Sequence, residues 1–292
     1  MNLNQVKKLM DRKKTSHKNE NGYVVVIGGS EEYVGAVIMA GLAALRAGCD
    51  KVTIASPQKV AWAINMANSE LVTHKVNARK FTIKNAKEMI KYSEKFDAVL
   101  LGNGITREAG KFCKHFLRKS QKLKVVDADA LRSTSFKDYN NSIVTPHEDE
   151  LKDMLCNSGK EFLLPKLKYA NTKEKAEILQ GNLRYFLQNN NVLLLKGPTD
   201  IIISRNRIGY NRTGNQGMTK AGTGDILAGL IVGFLAKSKD LYKSAMAGAY
   251  INGFVGDQLL KKKKGYSFIA SDILTDLQDV KKIVTKLKRK KK

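Results

Sequence analysis

Short β-branched runs that stop at glycine, proline or an acid, each followed by a stretch of helical periodicity, recur along this chain. That alternation limits it to one kind of architecture. "GYVVVIGGS" (22–30) reads as a buried strand ending in a tight loop, and "VGAVIMAGLAALRAGCD" (34–50) reads as a helix with Gly48 as its stop. "KVTIASP" (51–57) is a second strand, closed by Pro57, and 58–68 is a helix. "FDAVLLGNG" (96–104), "KLKVVDADAL" (122–131), "NSIVTPHEDEL" (141–151) and "NVLLLKGPTD" (191–200) repeat the strand-then-loop pattern, with helices predicted over 107–119 and about 172–189. "DIIISRNRIGYN" (200–211) departs from it: two short runs flank a polar turn, which predicts a hairpin or edge pair. The expected fold is α/β, a largely parallel sheet covered by helices on both faces.

The chain has 292 residues, 42% of them hydrophobic, enough for a sizeable core. No Pro/Gly-rich linker or internal repeat divides it, so one domain over 1–280 is predicted, followed by a basic tail at 281–292. Lysine and arginine outnumber acids 52 to 27, a net charge of +25, which favours anionic partners. The run Lys261 to Lys264 and the tail "KKIVTKLKRKKK" carry much of that charge and read as solvated. Cys49, Cys113 and Cys156 are far apart, with no metal-ligand spacing, which fits a reducing cytoplasm. The longest apolar run, Ile226 to Ala236, is shorter than the roughly 20 residues a membrane span needs, so it is expected to be a buried helix.

That run follows directly on a glycine-rich loop, "GNQGMTKAGTGD" (214–225). A helix starting near Ile226 leaves its first amides without intrahelical partners, and those amides with the helix dipole attract anions. A phosphate is expected against Ala221, Gly222, Thr223 and Gly224, with Asp225 beside it. Aspartate is a favoured helix cap, but a cap needs no such loop upstream. An acid at a phosphate site can instead take the proton from a hydroxyl that attacks phosphorus. No Walker A pattern is present.

Read in order, "SHKNENGYVVVIGGS" (16–30), "LLGNGI" (100–105), "VVDADAL" (125–131), "TPHEDEL" (145–151), "LKGPTDIII" (194–203), "GNQGMTKAGTGDILAG" (214–229), "GAYINGFVGD" (248–257) and "ASDIL" (270–274) form a specific set. With these blocks the chain resembles the ADP/ATP-dependent NAD(P)H-hydrate dehydratases of the ribokinase-like superfamily, over about residues 16 to 278. The resemblance implies a three-layer α/β/α fold and repair of hydrated NADH or NADPH, with ADP or ATP phosphorylating the ring hydroxyl before phosphate leaves. It implies Asp225 as the base, Gly222, Thr223 and Gly224 as the anion hole, and Lys196, Gly197, Pro198, Thr199, Asp200, Asn215, Met218 and Gly224 at the nucleotide. It places Ala36, Gly104 and His147 on the substrate side with Asp225, and Tyr33 and Gly35 in a ligand loop. Asp127 and Asp129 are the candidates to help hold Mg²⁺, directly or through water, with a structural role for their turn as the alternative. Taken by themselves, Lys196 also reads as a surface lysine, though less well, His147 reads more often as a helix-start residue, and Ala36 reads equally as helix packing.

Four positions depart from the family pattern. Ala221 replaces the first glycine of GGTGD, Lys220 a small residue, Asp149 the glycine of PHxGE, and Thr106 the last glycine of a GPGLG-like loop. They bear on how closely the backbone meets a ligand. The resemblance further implies a homo-tetramer in the cytoplasm and an epimerase partner. No epimerase domain fits before residue 16, so that partner is expected on a separate chain. No membrane partner is expected. The rival readings are a ribokinase-like small-molecule kinase, which would release a stable phosphoester, and a nucleic-acid binder. The second rests on charge alone and lacks interleaved aromatics.

Overall fold

The computed structural model describes residues 3–278 except 13, 19 and 264. Lys264 and the basic tail at 281–292 lie outside the described residues. Among the described residues one sheet contains β1 (Tyr23–Ile27), β2 (Lys51–Pro57), β3 (Val72–Val76), β4 (Ala98–Leu101), β5 (Leu123–Val126), β6 (Ser142–Val144), β7 (Val192–Leu195), β8 (Asp200–Ser204) and β9 (Arg207–Asn211). Their order is β3-β2-β1-β4-β5-β6-β7-β8-β9. The strands from β3 to β7 pair parallel, and β8 and β9 add an antiparallel edge, the hairpin read from "DIIISRNRIGYN".

Alternation along each strand feeds two cores. Val25, Ile27, Val99, Leu101, Leu193 and Leu195 meet one set of helices, including Phe112 and Phe116 of Gly110–Lys119 and Met154 of Glu148–Cys156. Val24, Val26, Ala98, Leu100, Val192 and Leu194 meet the other set, including Ala40 and Ala44 of Val34–Arg46 and Leu227 and Ile231 of Thr223–Ser238. The layers are therefore α/β/α, and strands buried on both faces read as unbroken apolar runs.

The Thr223–Ser238 helix is apolar all round because it is covered all round. Its opposite side, Ile226, Leu230 and Phe234, enters a third cluster with Val6, Ile251, Val255 and Ile273. It also packs closely on Val34–Arg46. A Cβ on Gly229 would lie 2.1 Å from the Ala40 carbonyl oxygen, and one on Gly233 2.7 Å from that of Ala44. Glycines four apart against alanines four apart let two backbones touch, which larger side chains would prevent.

Three boundaries differ from the sequence reading. The helix expected over 172–189 is two, Thr172–Asn182 and Arg184–Gln188, because the chain turns at Leu183 to bury Phe186 and Leu187. The helix expected near Ile226 begins at Thr223, with Gly222 (φ +90°) as its N-cap. The segment expected as a helix over 107–119 opens with a 3₁₀ turn, Arg107–Ala109.

Candidate active site

The strand order reverses between β1 and β4, and the loops leaving these two strands part on either side of that point. They are locked together first. The Gly29 amide donates to the Asn103 carbonyl at 2.9 Å. A Cβ on Gly28 would lie 2.3 Å from the same oxygen. Gly102 (φ +123°) and Gly104 (φ +66°) flank Asn103, and a Cβ on either would overlap the Asp127 or Tyr33 carbonyl. Ala36 lies against Gly104, its Cβ 3.3 Å from where a Gly104 Cβ would be, so these two expected substrate residues share one wall.

The Thr223–Ser238 helix starts across from this wall. Its first ladder bond runs from the Ile226 amide to the Gly222 carbonyl at 3.0 Å. The amides of 223–225 precede that ladder; Thr223 meets the Lys220 carbonyl at 3.4 Å. The Thr223 hydroxyl donates to the carbonyls of Met218 (2.6 Å) and Lys220 (2.8 Å), so it braces the loop. Asp225 is the third residue of the helix, and Gly222 takes the capping position. The Asp225 carboxylate instead accepts from Asn103 Nδ2 at 2.6 Å. Burial pushes Asp225 up to about 7; Asp127 and Glu150 add to the rise, and Asn103 and Lys196 oppose it. A carboxyl poised there exchanges protons at neutral pH.

Lys196 connects this corner to the neighbouring loops. Its Nζ reaches Asp127 Oδ1 at 3.0 Å and Glu150 Oε2 at 3.4 Å. A Cβ on Gly224 would lie 3.9 Å from it, so the ammonium stands over the helix start. Burial alone would lower its proton affinity, but Asp127 and Glu150 outweigh burial and hold Lys196 above its ordinary value. Thr145 Oγ1 donates to Asp127 Oδ1 at 2.8 Å, and Asn103 Nδ2 meets Asp127 Oδ2 at 3.2 Å.

His147 caps the Glu148–Cys156 helix. Its Nδ1 accepts from the Asp149 amide at 3.2 Å, and its backbone amide donates to Glu150 Oε2 at 2.9 Å. Its Nε2 lies 3.4 Å from both Glu150 Oε1 and the Arg132 guanidinium. Asp149 stands inside a regular first helical turn, and Thr106 (φ −77°) precedes the 3₁₀ turn in extended backbone; neither position requires glycine. Ala221 is exposed, and the left-handed residue of that loop is Gly222.

The carboxylates expected to help hold Mg²⁺ already carry protein partners. Both Asp127 oxygens already accept from Lys196, Thr145 and Asn103. Asp129 faces Arg107 at 3.8 Å and Arg132 at 3.7 Å. Among the described residues no three His, Cys, Asp or Glu side chains gather as a metal cage.

The expected nucleotide residues form two braced loops. Asp200 Oδ1 accepts from the Gly197 amide at 3.1 Å and its Oδ2 from Asn211 at 2.9 Å, closing the turn that carries Pro198 and Thr199. Burial raises Asp200. Asn215 Nδ2 and the Gly214 amide both donate to Asp257, each at 3.0 Å. Met218 fills the space left by Gly256, and Lys220 donates to the carbonyls of Tyr266 and Phe268.

Sequence reasoning missed Asn103, Glu150, Arg132 and Asp257. Asn103, Glu150 and Asp257 lay inside quoted blocks, but a glycine-flanked asparagine reads as turn chemistry and an acid early in a helix as a favourable dipole charge. Only the partner, distant in sequence, reveals the role.

A family model described as NAD(P)H-hydrate dehydratase matches residues 24–279. The chain is 35% identical over 283 residues to a bifunctional NAD(P)H-hydrate repair enzyme of Methanocaldococcus jannaschii, covering 95% of this chain and 52% of that one. It thus spans about half the length of the curated relatives it first matches. It is 33% identical to an ADP-dependent (S)-NAD(P)H-hydrate dehydratase of Cenarchaeum symbiosum, over 93% of this chain and 92% of that one. A crystal structure of the ADP/ATP-dependent NAD(P)H-hydrate dehydratase from Bacillus subtilis, co-crystallized with ATP/Mg²⁺, aligns with a TM-score of 0.78 and 25% identity over 97% of each chain.

Proposed function

The chain belongs to the NAD(P)H-hydrate dehydratase family, and from that membership and the geometry of its site we propose that it restores hydrated NADH or NADPH at the expense of ADP or ATP. One observation carries the reading: Asp225, half-buried and raised to about 7, stands in the first turn of a helix whose start lies under the Lys196 ammonium. An acceptor of protons and a site for phosphate thus meet at one point.

In the proposed reaction the ring hydroxyl lies against Asp225, which takes its proton as the oxygen attacks the terminal phosphorus. The bond from that phosphorus to the nucleotide breaks, releasing AMP from ADP, or ADP from ATP. The amides of Gly222, Thr223 and Gly224 with Lys196 stabilise charge on the transferring group. The ring nitrogen's lone pair then expels phosphate, and loss of a proton from the adjacent carbon restores the double bond. Mg²⁺ would accompany the nucleotide and offset its negative charge, with Asp127 and Asp129 the residues that would hold it, directly or through water. Lys196, Gly197–Asp200, Asn215 and Met218 face the nucleotide; Ala36, Gly104 and His147 face the dinucleotide. ADP is the proposed donor, following the name of the Cenarchaeum symbiosum relative. A single domain over 1–280, a homo-tetramer, a cytoplasmic location and an epimerase as functional partner are part of the same proposal.

The test is recovery of the reduced ring's near-ultraviolet absorbance from hydrated NADH with Mg²⁺ and ADP or ATP. The native protein is expected to show a nucleotide-dependent rise. Asp225→Asn should slow it about 10²- to 10⁴-fold with nucleotide binding retained. A stable phosphoester in place of restored NADH would point to the kinase reading.

A further inference from the structure

We infer that Asp257 is a positioning residue for the nucleotide. Its carboxylate, on the Leu241–Lys263 helix, holds the loop over 214–218 in the register that brings the start of the Asp225 helix to a phosphate. This rests on the nucleotide site of the dehydratase reading.

The loop is seated on that helix by shape. Gly253 and Gly256, three residues apart, share one helix face. A Cβ on Gly253 would stand 2.3 Å from the Thr213 carbonyl oxygen, and one on Gly256 2.3 Å from Met218 Sδ. The Thr213 hydroxyl donates to the Tyr250 carbonyl at 3.0 Å, one turn earlier. Two glycines make a smooth seat, and a smooth seat fixes closeness better than register.

Asp257 supplies the register. Its Oδ2 accepts from the Gly214 amide and its Oδ1 from Asn215 Nδ2, each at 3.0 Å. Asn215 passes the constraint on. Its Oδ1 accepts from the Gly217 amide at 3.0 Å, and its carbonyl from the Met218 amide at 2.9 Å. The Met218 carbonyl in turn accepts from the Thr223 hydroxyl at 2.6 Å. Thr223 is the first residue of the Asp225 helix. A continuous series of hydrogen bonds thus runs from Asp257 to the amides proposed to meet phosphate.

Charge argues that the tie has a purpose. A carboxylate beside a loop that receives a polyanion repels that ligand. Asparagine would keep the shape without the repulsion. What the carboxylate alone provides is one acceptor oxygen for each of two donors on the same loop.

The experiment exchanges donor and acceptor in the full chain. It reads ADP and ATP affinity by calorimetry, and the KM of nucleotide and of hydrated NADH separately. Asp257→Asn removes a negative charge but sets an N–H against one of the loop's donors. Nucleotide affinity is expected to fall about tenfold to hundredfold, with the KM for hydrated NADH unchanged. Asn215→Asp sets two carboxylates face to face and should fall at least as far. The double variant Asn215→Asp/Asp257→Asn puts the amide on the helix and the acid on the loop. Every donor regains an acceptor, and most of the affinity should return. Where a single exchange fails to fold, Asn215→Ala deletes the tie without a new charge and should lose about tenfold.

A carboxylate that only supported the fold would lower Tm and move both KM values together, and that result would overturn the inference. So would tighter nucleotide binding in Asp257→Asn, as charge alone predicts, a double variant no better than the singles, or native affinity in Asn215→Ala. Native nucleotide binding without recovery of NADH would count against the dehydratase reading alone. No nucleotide binding by the native protein would overturn both.

Discussion

Moving the assay from about pH 8 to about pH 6 should lower kcat/KM roughly tenfold, because the proposed base loses its ionised form over that interval. The ordinary aspartate value is 3.8, and burial beside Asp127 and Glu150 carries Asp225 to about 7. An aspartate at its ordinary value would be ionised throughout, and the profile would be flat. With a value near 7, about nine-tenths is ionised one unit above and about one-tenth one unit below. A second perturbation tests the cause. Lys196 lowers Asp225, so Lys196→Met should move the acid limb to higher pH as well as weaken binding of the phosphoryl group. The assay is the initial rate of NADH recovery at saturating nucleotide, corrected for the uncatalysed reaction. A native profile flat between about pH 5 and pH 8 would refute the argument that burial tunes this carboxyl. A limb unmoved in Lys196→Met would refute the electrostatic link while leaving the base in place.

Two further predictions concern stability. Gly229→Ala puts a methyl 2.1 Å from the Ala40 carbonyl oxygen; thermal melting should show a loss of about 1–3 kcal/mol or more, and an unchanged Tm would mean that the two helices are not in backbone contact. Lys124, fully buried, is drawn down from 10.5 to about 7 by burial, while Ser120, Lys122 and Asn140 accept from its Nζ. Between those values the unfolded chain binds a proton that the native state lacks, so stability should rise with pH through that window and the penalty should be full below it. Lys124→Met should raise Tm at neutral pH and flatten that rise; a lower Tm would show that the three acceptors outweigh desolvation.

Much of the fold was legible because buried parallel strands write themselves as apolar runs. β3 was not: its residues Val72–Val76, "VTHKV", form a partly exposed edge strand with no apolar run to betray it. Within the candidate site, the glycine loop and Asp225 stood out by residue type, whereas Lys196 came from the resemblance alone, because one more lysine is ordinary in so basic a chain. Asn103 did not stand out. Its meaning depends on Asp225, 122 positions away, meeting it at 2.6 Å. The departures at Ala221, Asp149 and Thr106 raised a question that local sequence could not answer: which backbone angles those loops adopt. At Asp149 and Thr106 the angles are ordinary, and Gly222 supplies the left-handed turn beside Ala221.

The contact of Gly229 and Gly233 with Ala40 and Ala44 has a consequence for how such a site diversifies. The helix bearing Asp225 and the helix bearing Ala36 are joined as one stiff plate, so the gap between the proposed base and the Ala36 side of the cleft cannot be widened by a single enlarged side chain in the seam. Adaptation to a bulkier or differently charged substrate is channelled into the loops at the plate's rim, around residues 30–36, 102–106 and 214–222. Variation among descendants of this chain should concentrate there, while the seam itself accepts almost no drift.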